Sequence, residues 1–260
     1  MSQIKEAILE TNRQGHKAFI PYIMAGDGGL EKLKPTILKL QELGVTAIEV
    51  GIPFTDPVAD GPTIEEAGVR ALANGTTLRK VLETLAGFAH EIKIPLIAMT
   101  YLNPVLAYGI GQFAKDAHKA GIRGVIIPDM PLEESDLVHP ALKAAGIDLV
   151  QLVSLTSTPE RIEKLTKASE GFIYAVTVNG ITGARSSFEG DLESHFKKIQ
   201  SYTDTPVLAG FGISTPEHVK QFGSFTSGVI VGSKIVDSLA KGDWDAIENL
   251  VKASKTVPLA

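Results

Sequence analysis

Glu49 stands in the run Ile48-Glu49-Val50-Gly51-Ile52, a carboxylate among side chains that belong in a core. Acids are rarely buried without a partner, and burial disfavours the charged form, so a carboxyl placed there acquires a raised pKa suited to proton transfer. Eleven residues later Asp60 closes a loop punctuated by Pro53, Pro57, Gly61 and Pro62, which can return it to the mouth of the strand that carries Glu49. Two carboxylates in different environments can divide the roles of proton donor and fixed counter-charge. A structural reading stands beside this one: Glu49 as a satisfied acid bonded to backbone or to an arginine, and Asp60 as a residue that only turns the loop.

A second chemistry is written in glycine. Asn179-Gly180-Ile181-Thr182-Gly183-Ala184-Arg185, Gly210-Phe211-Gly212-Ile213-Ser214 and Gly232-Ser233-Lys234 each follow an apolar run. Glycine lets backbone N–H groups come close to an anion, and a helix starting at Ser233 adds the positive end of its dipole, worth about 0.3–1 kcal/mol per charge. Each pattern alone also fits an ordinary turn, but three neighbouring glycine-rich loops favour a phosphate. Arg185 and Lys234 read as surface residues, and Gly180 to Arg185 reads as a lid that excludes water over bound substrate.

The elements that must position these groups follow a steady rhythm. Apolar, β-branched runs recur eight times, at Ala18–Met24, Ala47–Ile52, Leu96–Thr100, Gly124–Ile127, Leu149–Val153, Phe172–Val178, Val207–Ala209 and Val229–Val231. Continuous apolarity marks strands buried on both faces, as in parallel sheets. Between them lie helical spacings: Leu33, Ile37, Leu40 and Leu43; Leu78, Val81, Leu82 and Leu85; Phe113, Ala117 and Ala120; Leu137, Leu142 and Ala145. Thr158-Pro159 and Thr215-Pro216 are helix starts, and Gly44, Gly121 and Gly146 are helix ends. Eight strand–helix units in 260 residues predict one domain over residues 1–260, a single (β/α)8 TIM barrel with an extra N-terminal helix carrying Ile4, Ile8 and Leu9. Active sites of such barrels lie at the C-terminal ends of the strands, where Glu49, Asp60 and all three glycine loops fall.

Composition excludes several classes. A net charge of −5 with no basic cluster argues against a nucleic-acid surface, and the absence of cysteine excludes disulfides and thiolate chemistry. No signal-peptide core or spanning segment is visible, which predicts a cytoplasmic protein. The six histidines are scattered rather than clustered as metal ligands, and no strand run ends in a lysine for Schiff-base chemistry.

Over essentially its whole length the chain resembles tryptophan synthase α subunits. The resemblance is carried by Phe19-Ile20-Pro21-Tyr22, the block from Glu49 to Pro62, Pro128-Asp129-Met130-Pro131, Thr156-Ser157-Thr158, Gly180-Ile181-Thr182-Gly183 and Gly210-Phe211-Gly212-Ile213. It implies retro-aldol cleavage of indole-3-glycerol phosphate to indole and glyceraldehyde 3-phosphate, with no metal and no cofactor in this chain. By the same resemblance Glu49 protonates indole C3, Asp60 holds the indole N–H, and backbone groups of Gly183, Gly212, Gly232 and Ser233 hold phosphate. Thr182 then closes toward Asp60, and Tyr22, Tyr101, Tyr174 and Phe211 line the indole slot; for each aromatic, ordinary barrel core is the alternative. The implied partner is a pyridoxal-phosphate-bearing β subunit in an αββα heterotetramer, met through Pro53–Pro57 and an Asn103-Pro104 turn. Two departures touch the pocket: Ser154-Leu155 stands where Ala-Pro is frequent, and Tyr22 where phenylalanine is. A different sugar-phosphate barrel, with acids placed elsewhere, and a mainly regulatory subunit are the competing readings.

Overall fold

The computed structural model describes residues 2–177 and 189–257, with only the backbone of residues 189–191. Its strands are β1 (Ala18–Met24), β2 (Ile48–Gly51), β3 (Leu96–Met99), β4 (Ile122–Ile126), β5 (Asp148–Leu149), β6 (Gln151–Val153), β7 (Ile173–Val176), β8 (Val207–Gly210) and β9 (Gly228–Val231). All pair in parallel in the order β5-β4-β3-β2-β1-β9-β8-β7-β6, with helices between them. The two ends of that order are consecutive in the chain. The run expected as one strand at Leu149–Val153 is split at Val150, so β5 pairs with β4 and β6 with β7, and the Val150 N–H extends the pairing with β4 by donating to Val125 O at 3.0 Å. Nine assigned strands thus make eight barrel staves.

Alternation along each strand sorts side chains into two layers. Ile20, Tyr22, Ile97, Met99, Ile126, Tyr174, Leu208 and Ile230 fill the interior, while Phe19, Ile48, Val50, Ala98, Val125, Ile173 and Val229 face the helices. Glu49 lies between two outward residues, so its side chain points into the barrel. The helix Gln3–Arg13 closes the N-terminal end: its Ile4 and Ile8 join the interior layer. Gly124 admits Ile4, since a β-carbon there would stand 2.5 Å from Ile4 Cδ1.

Helix punctuation follows the sequence signals. Thr158 and Thr215 accept from the N–H groups of Arg161 and His218 at 3.3 and 3.2 Å, and Gly44, Gly121 and Gly146 take positive φ of 79°, 85° and 68°. Leu137 departs from expectation. It ends a 3-10 turn, Leu132–Leu137, and stays 49% exposed, so only Leu142 of that set is fully buried and Ala145 packs at the edge. Asn103 and Pro104 form no turn; they lie inside the helix Leu102–Tyr108, whose Leu102 N–H donates to Asp129 Oδ1 at 3.0 Å. Among the described residues no helix is long and apolar enough to cross a membrane.

Candidate active site

Glu49 is 3% exposed and its Oε2 has no hydrogen-bond partner among the described residues. Loss of hydration without compensation disfavours the carboxylate, and burial first, then the charge of Asp60, lifts the Glu49 carboxyl to about 8. The bonded structural acid of the alternative reading would need a partner that Oε2 lacks.

Asp60 stands at the end of the loop that follows β2, the strand of Glu49. The loop is held from β3: Tyr101, the second residue past that strand, donates its hydroxyl proton to Asp60 Oδ1 at 2.9 Å and accepts the Ala59 N–H at 3.1 Å. Phe54 of the same loop lies 5.4 Å from the Tyr101 ring. Burial raises the Asp60 carboxyl to about 6; the Tyr101 hydrogen bond opposes the rise and the charge of Glu65 adds to it. The influence of the two acids on each other is one-sided. Asp60 ionises first, opposite a neutral Glu49, whereas Glu49 must ionise opposite an anion. Between about 6 and about 8 the pair therefore holds one proton, on Glu49.

Three tyrosines surround the acids. Tyr22 is the β1 register partner of Glu49 and is buried, with its hydroxyl over Gly51, where a β-carbon would stand only 1.9 Å from that oxygen. Tyr174 lies in the same way on Gly210 of the neighbouring strand, with Phe211 5.7 Å away. Both phenols are held far above their ordinary range, by burial first and by the nearby carboxylates second. Tyr101 is raised by the same two causes. All three stay neutral and can only donate or accept hydrogen bonds.

The loops after β8 and β9 present backbone instead. Phe211 and Gly212 take successive positive φ values of 72° and 71°, and Phe211 is the single non-glycine residue with positive φ among the described residues. Gly232 precedes the helix Ser233–Lys241, whose start no side chain caps. Gly212 and Ser233 are exposed. Gly183 and Thr182, with Arg185, lie outside the described residues. A separate cavity of about 310 Å³ beside β6, lined by Met130, Gln151 and Arg161, contains neither acid and none of the three tyrosines.

Sequence reasoning paired Glu49 with Asp60 but missed the link between Asp60 and Tyr101, the charge of Glu65, and the glycines that admit the phenol rings. One signal was present: Gly51 is two residues beyond Glu49, on the same face of the strand, where a bulky side chain would otherwise be expected.

An interior acid without a partner, a second acid on the following loop and open glycine turns, all at the C-terminal end of a parallel barrel, have the placement of a barrel enzyme's site. Comparison narrows the class. The family model described as tryptophan synthase alpha chain matches residues 8–258. The tryptophan synthase alpha chain of Bacillus cereus is 50% identical over 250 residues, 96% of this chain and 97% of that one. Among solved structures, tryptophan synthase from M. tuberculosis superposes with a TM-score of 0.90 at 32% identity, covering 98% of each chain. The alpha subunit from Legionella pneumophila gives a TM-score of 0.85 at 31% identity, over 99% of this chain and 95% of that one. The chain belongs to the tryptophan synthase alpha chain family. It is a lyase of the α reaction; the family implies a β-subunit partner, and the pyridoxal phosphate of the complex belongs to that subunit rather than to this chain.

Proposed function

We propose that Glu49 and Asp60 carry the cleavage of indole-3-glycerol phosphate, with Glu49 as the shuttling proton donor. The neutral Glu49 carboxyl delivers its proton to indole C3, and the ring becomes a cation with its charge centred on nitrogen. Asp60, already ionised, faces the N–H and stabilises that charge where it appears. The Glu49 carboxylate then takes the proton of the glycerol hydroxyl next to C3. The carbon–carbon bond breaks, its electron pair returns to the ring, and indole and glyceraldehyde 3-phosphate separate with Glu49 protonated again. The single observation that carries this reading is geometric: Glu49 is buried inside the barrel with Oε2 unpartnered, which favours its neutral form, while Asp60 accepts the Tyr101 hydroxyl proton at 2.9 Å, which favours its charged form.

Backbone N–H groups of Gly212, Gly232 and Ser233 are assigned to the phosphate, supported by the uncapped helix start and the paired left-handed residues. Gly183 and Thr182 are assigned to the same closure by their motif alone. Tyr22, Tyr101, Tyr174 and Phe211 make the walls around the ring. On the rim, Val58 is 73% and Leu106 45% exposed, and we assign this face to the β subunit of an αββα heterotetramer working in the cytoplasm. Incubation with indole-3-glycerol phosphate, alone and with a β subunit, tests the reading. Release of indole by the native chain and its loss in Glu49→Gln supports it; equal indole release from Glu49→Gln removes that residue from the mechanism.

A further inference from the structure

We propose that Tyr22 is a specificity-determining residue whose hydroxyl binds a hydroxyl of the substrate's glycerol chain. The inference rests on the lyase reading above and adds a contact to it. Tyr22 is 5% exposed, yet its hydroxyl makes no hydrogen bond to any described residue. Its surroundings are polar: the carboxylates of Asp60 and Glu49 act on it, as do the phenols of Tyr101 and Tyr174. The oxygen is not among the sealed, unpartnered polar atoms of the described residues, so a ligand at the barrel mouth can reach it, and the phenol can both donate and accept a hydrogen bond.

Placement says what the missing partner is. The root of the side chain lies beside Gly232, whose added β-carbon would stand 3.9 Å from Tyr22 Cβ, and its tip lies over Gly51, two residues past Glu49. The ring therefore runs from the turn assigned to phosphate toward the acids assigned to the indole. In the substrate those two ends are joined by a three-carbon chain, and its polar atoms are two hydroxyl groups. The phenol itself fills the space over Gly51, which brings its oxygen to the strand that carries Glu49, and a glycerol hydroxyl is the polar group of the ligand that lies between the two ends. Phenylalanine at this position would offer the same ring without that bond. A site that hydrogen-bonds a substrate hydroxyl discriminates against ligands that lack it.

Two ligands and one variant test this. Tyr22→Phe removes a single oxygen, and an unchanged melting temperature shows that packing is intact. We expect kcat/KM for indole-3-glycerol phosphate to fall about tenfold, mainly through KM, which corresponds to about 1.4 kcal/mol. The dissociation constant of indole-3-propanol phosphate, which has the ring and phosphate but neither hydroxyl, should change less than about twofold, within the few tenths of a kcal/mol that a twofold change represents. Parallel weakening of both ligands overturns the proposal, because the oxygen would then serve the shape of the slot. No change for either overturns it as well, and so does a fall in kcat at constant KM, which would place the effect on the carboxylates. Failure of the native chain to release indole would be a failure of the lyase reading itself and is seen before any variant is made.

Discussion

The Tyr101 hydroxyl grips two successive residues of the loop after β2, donating to Asp60 Oδ1 at 2.9 Å and accepting the Ala59 N–H at 3.1 Å. The backbone donor polarises the hydroxyl toward the carboxylate, so the ionised form of Asp60 is favoured and its side chain is held in one orientation.

Tyr101→Phe should therefore move the acid limb of the activity profile. Removing a hydrogen bond to the charged form raises the Asp60 carboxyl above about 6, so the ionised state is reached only at higher pH. The shift expected is about one pH unit, about 1.4 kcal/mol, with a larger loss of activity at pH 6 than at pH 8. Indole release measured from about pH 5.5 to about pH 9 decides the point; an acid limb that stays where it was would limit Tyr101 to lining the slot.

The native chain should show a bell-shaped dependence of kcat/KM on pH, since that quantity reports the groups of the free enzyme. Activity rises as Asp60 ionises near 6 and falls as Glu49 loses its proton near 8. Asp60→Asn should abolish the rising limb together with most of the turnover, a loss of about 10²- to 10⁴-fold. A flat profile across this span in the native chain would dissociate the two carboxyls from the rate.

The same pKa values make a prediction about stability. In the unfolded chain Glu49 ionises near its ordinary 4.5, whereas in the fold it keeps its proton to about 8. Between these values the folded state binds more protons than the unfolded state, so stability falls as pH rises through the interval and levels off above it. Glu49→Gln has no such proton to lose. It should melt at nearly the native temperature at pH 5 and clearly above it at pH 8.5, where its unfolding free energy should be larger by on the order of a few kcal/mol. Equal melting temperatures at the higher pH would mean that ionised Glu49 finds a partner in the fold.

Much of this was legible in the chain because it depends on local rules. The strand runs are apolar on both faces, Thr158 and Thr215 stand directly before prolines, and Gly44, Gly121 and Gly146 end helices, so each boundary is encoded within a few residues. Glu49 could be read as an interior acid because its neighbours Ile48 and Val50 are outward core residues, and the pleat leaves it one direction to face. What was not legible is long-range. Nothing near Tyr101 announces that its hydroxyl meets a loop 41 residues earlier, and the break at Val150 arises from closing the sheet rather than from Val150 itself. Leu137 has the spacing of a buried helix residue, but the chain turns as 3-10 before it and leaves it in solvent.

Glycine substitutions separate the two kinds of information. At Gly210 an added β-carbon would stand 2.3 Å from Tyr174 Cε1, so alanine must displace a buried ring. Overpacking of this kind costs about 1–3 kcal/mol, and here it also moves a ring assigned above to the indole slot, so Gly210→Ala should lower both the urea midpoint and kcat/KM. Gly87 lies on the exposed face of the helix Leu78–Phe88 with nothing within 4 Å of its added β-carbon. There the same change removes only the conformational freedom of glycine, and Gly87→Ala should stabilise the fold by about 0.5–1 kcal/mol, seen as a higher urea midpoint, with activity untouched. The opposite signs follow from what each β-carbon meets. A Gly210→Ala chain as stable and as active as the native one would show that Tyr174 can leave its place against β8 without consequence for either property.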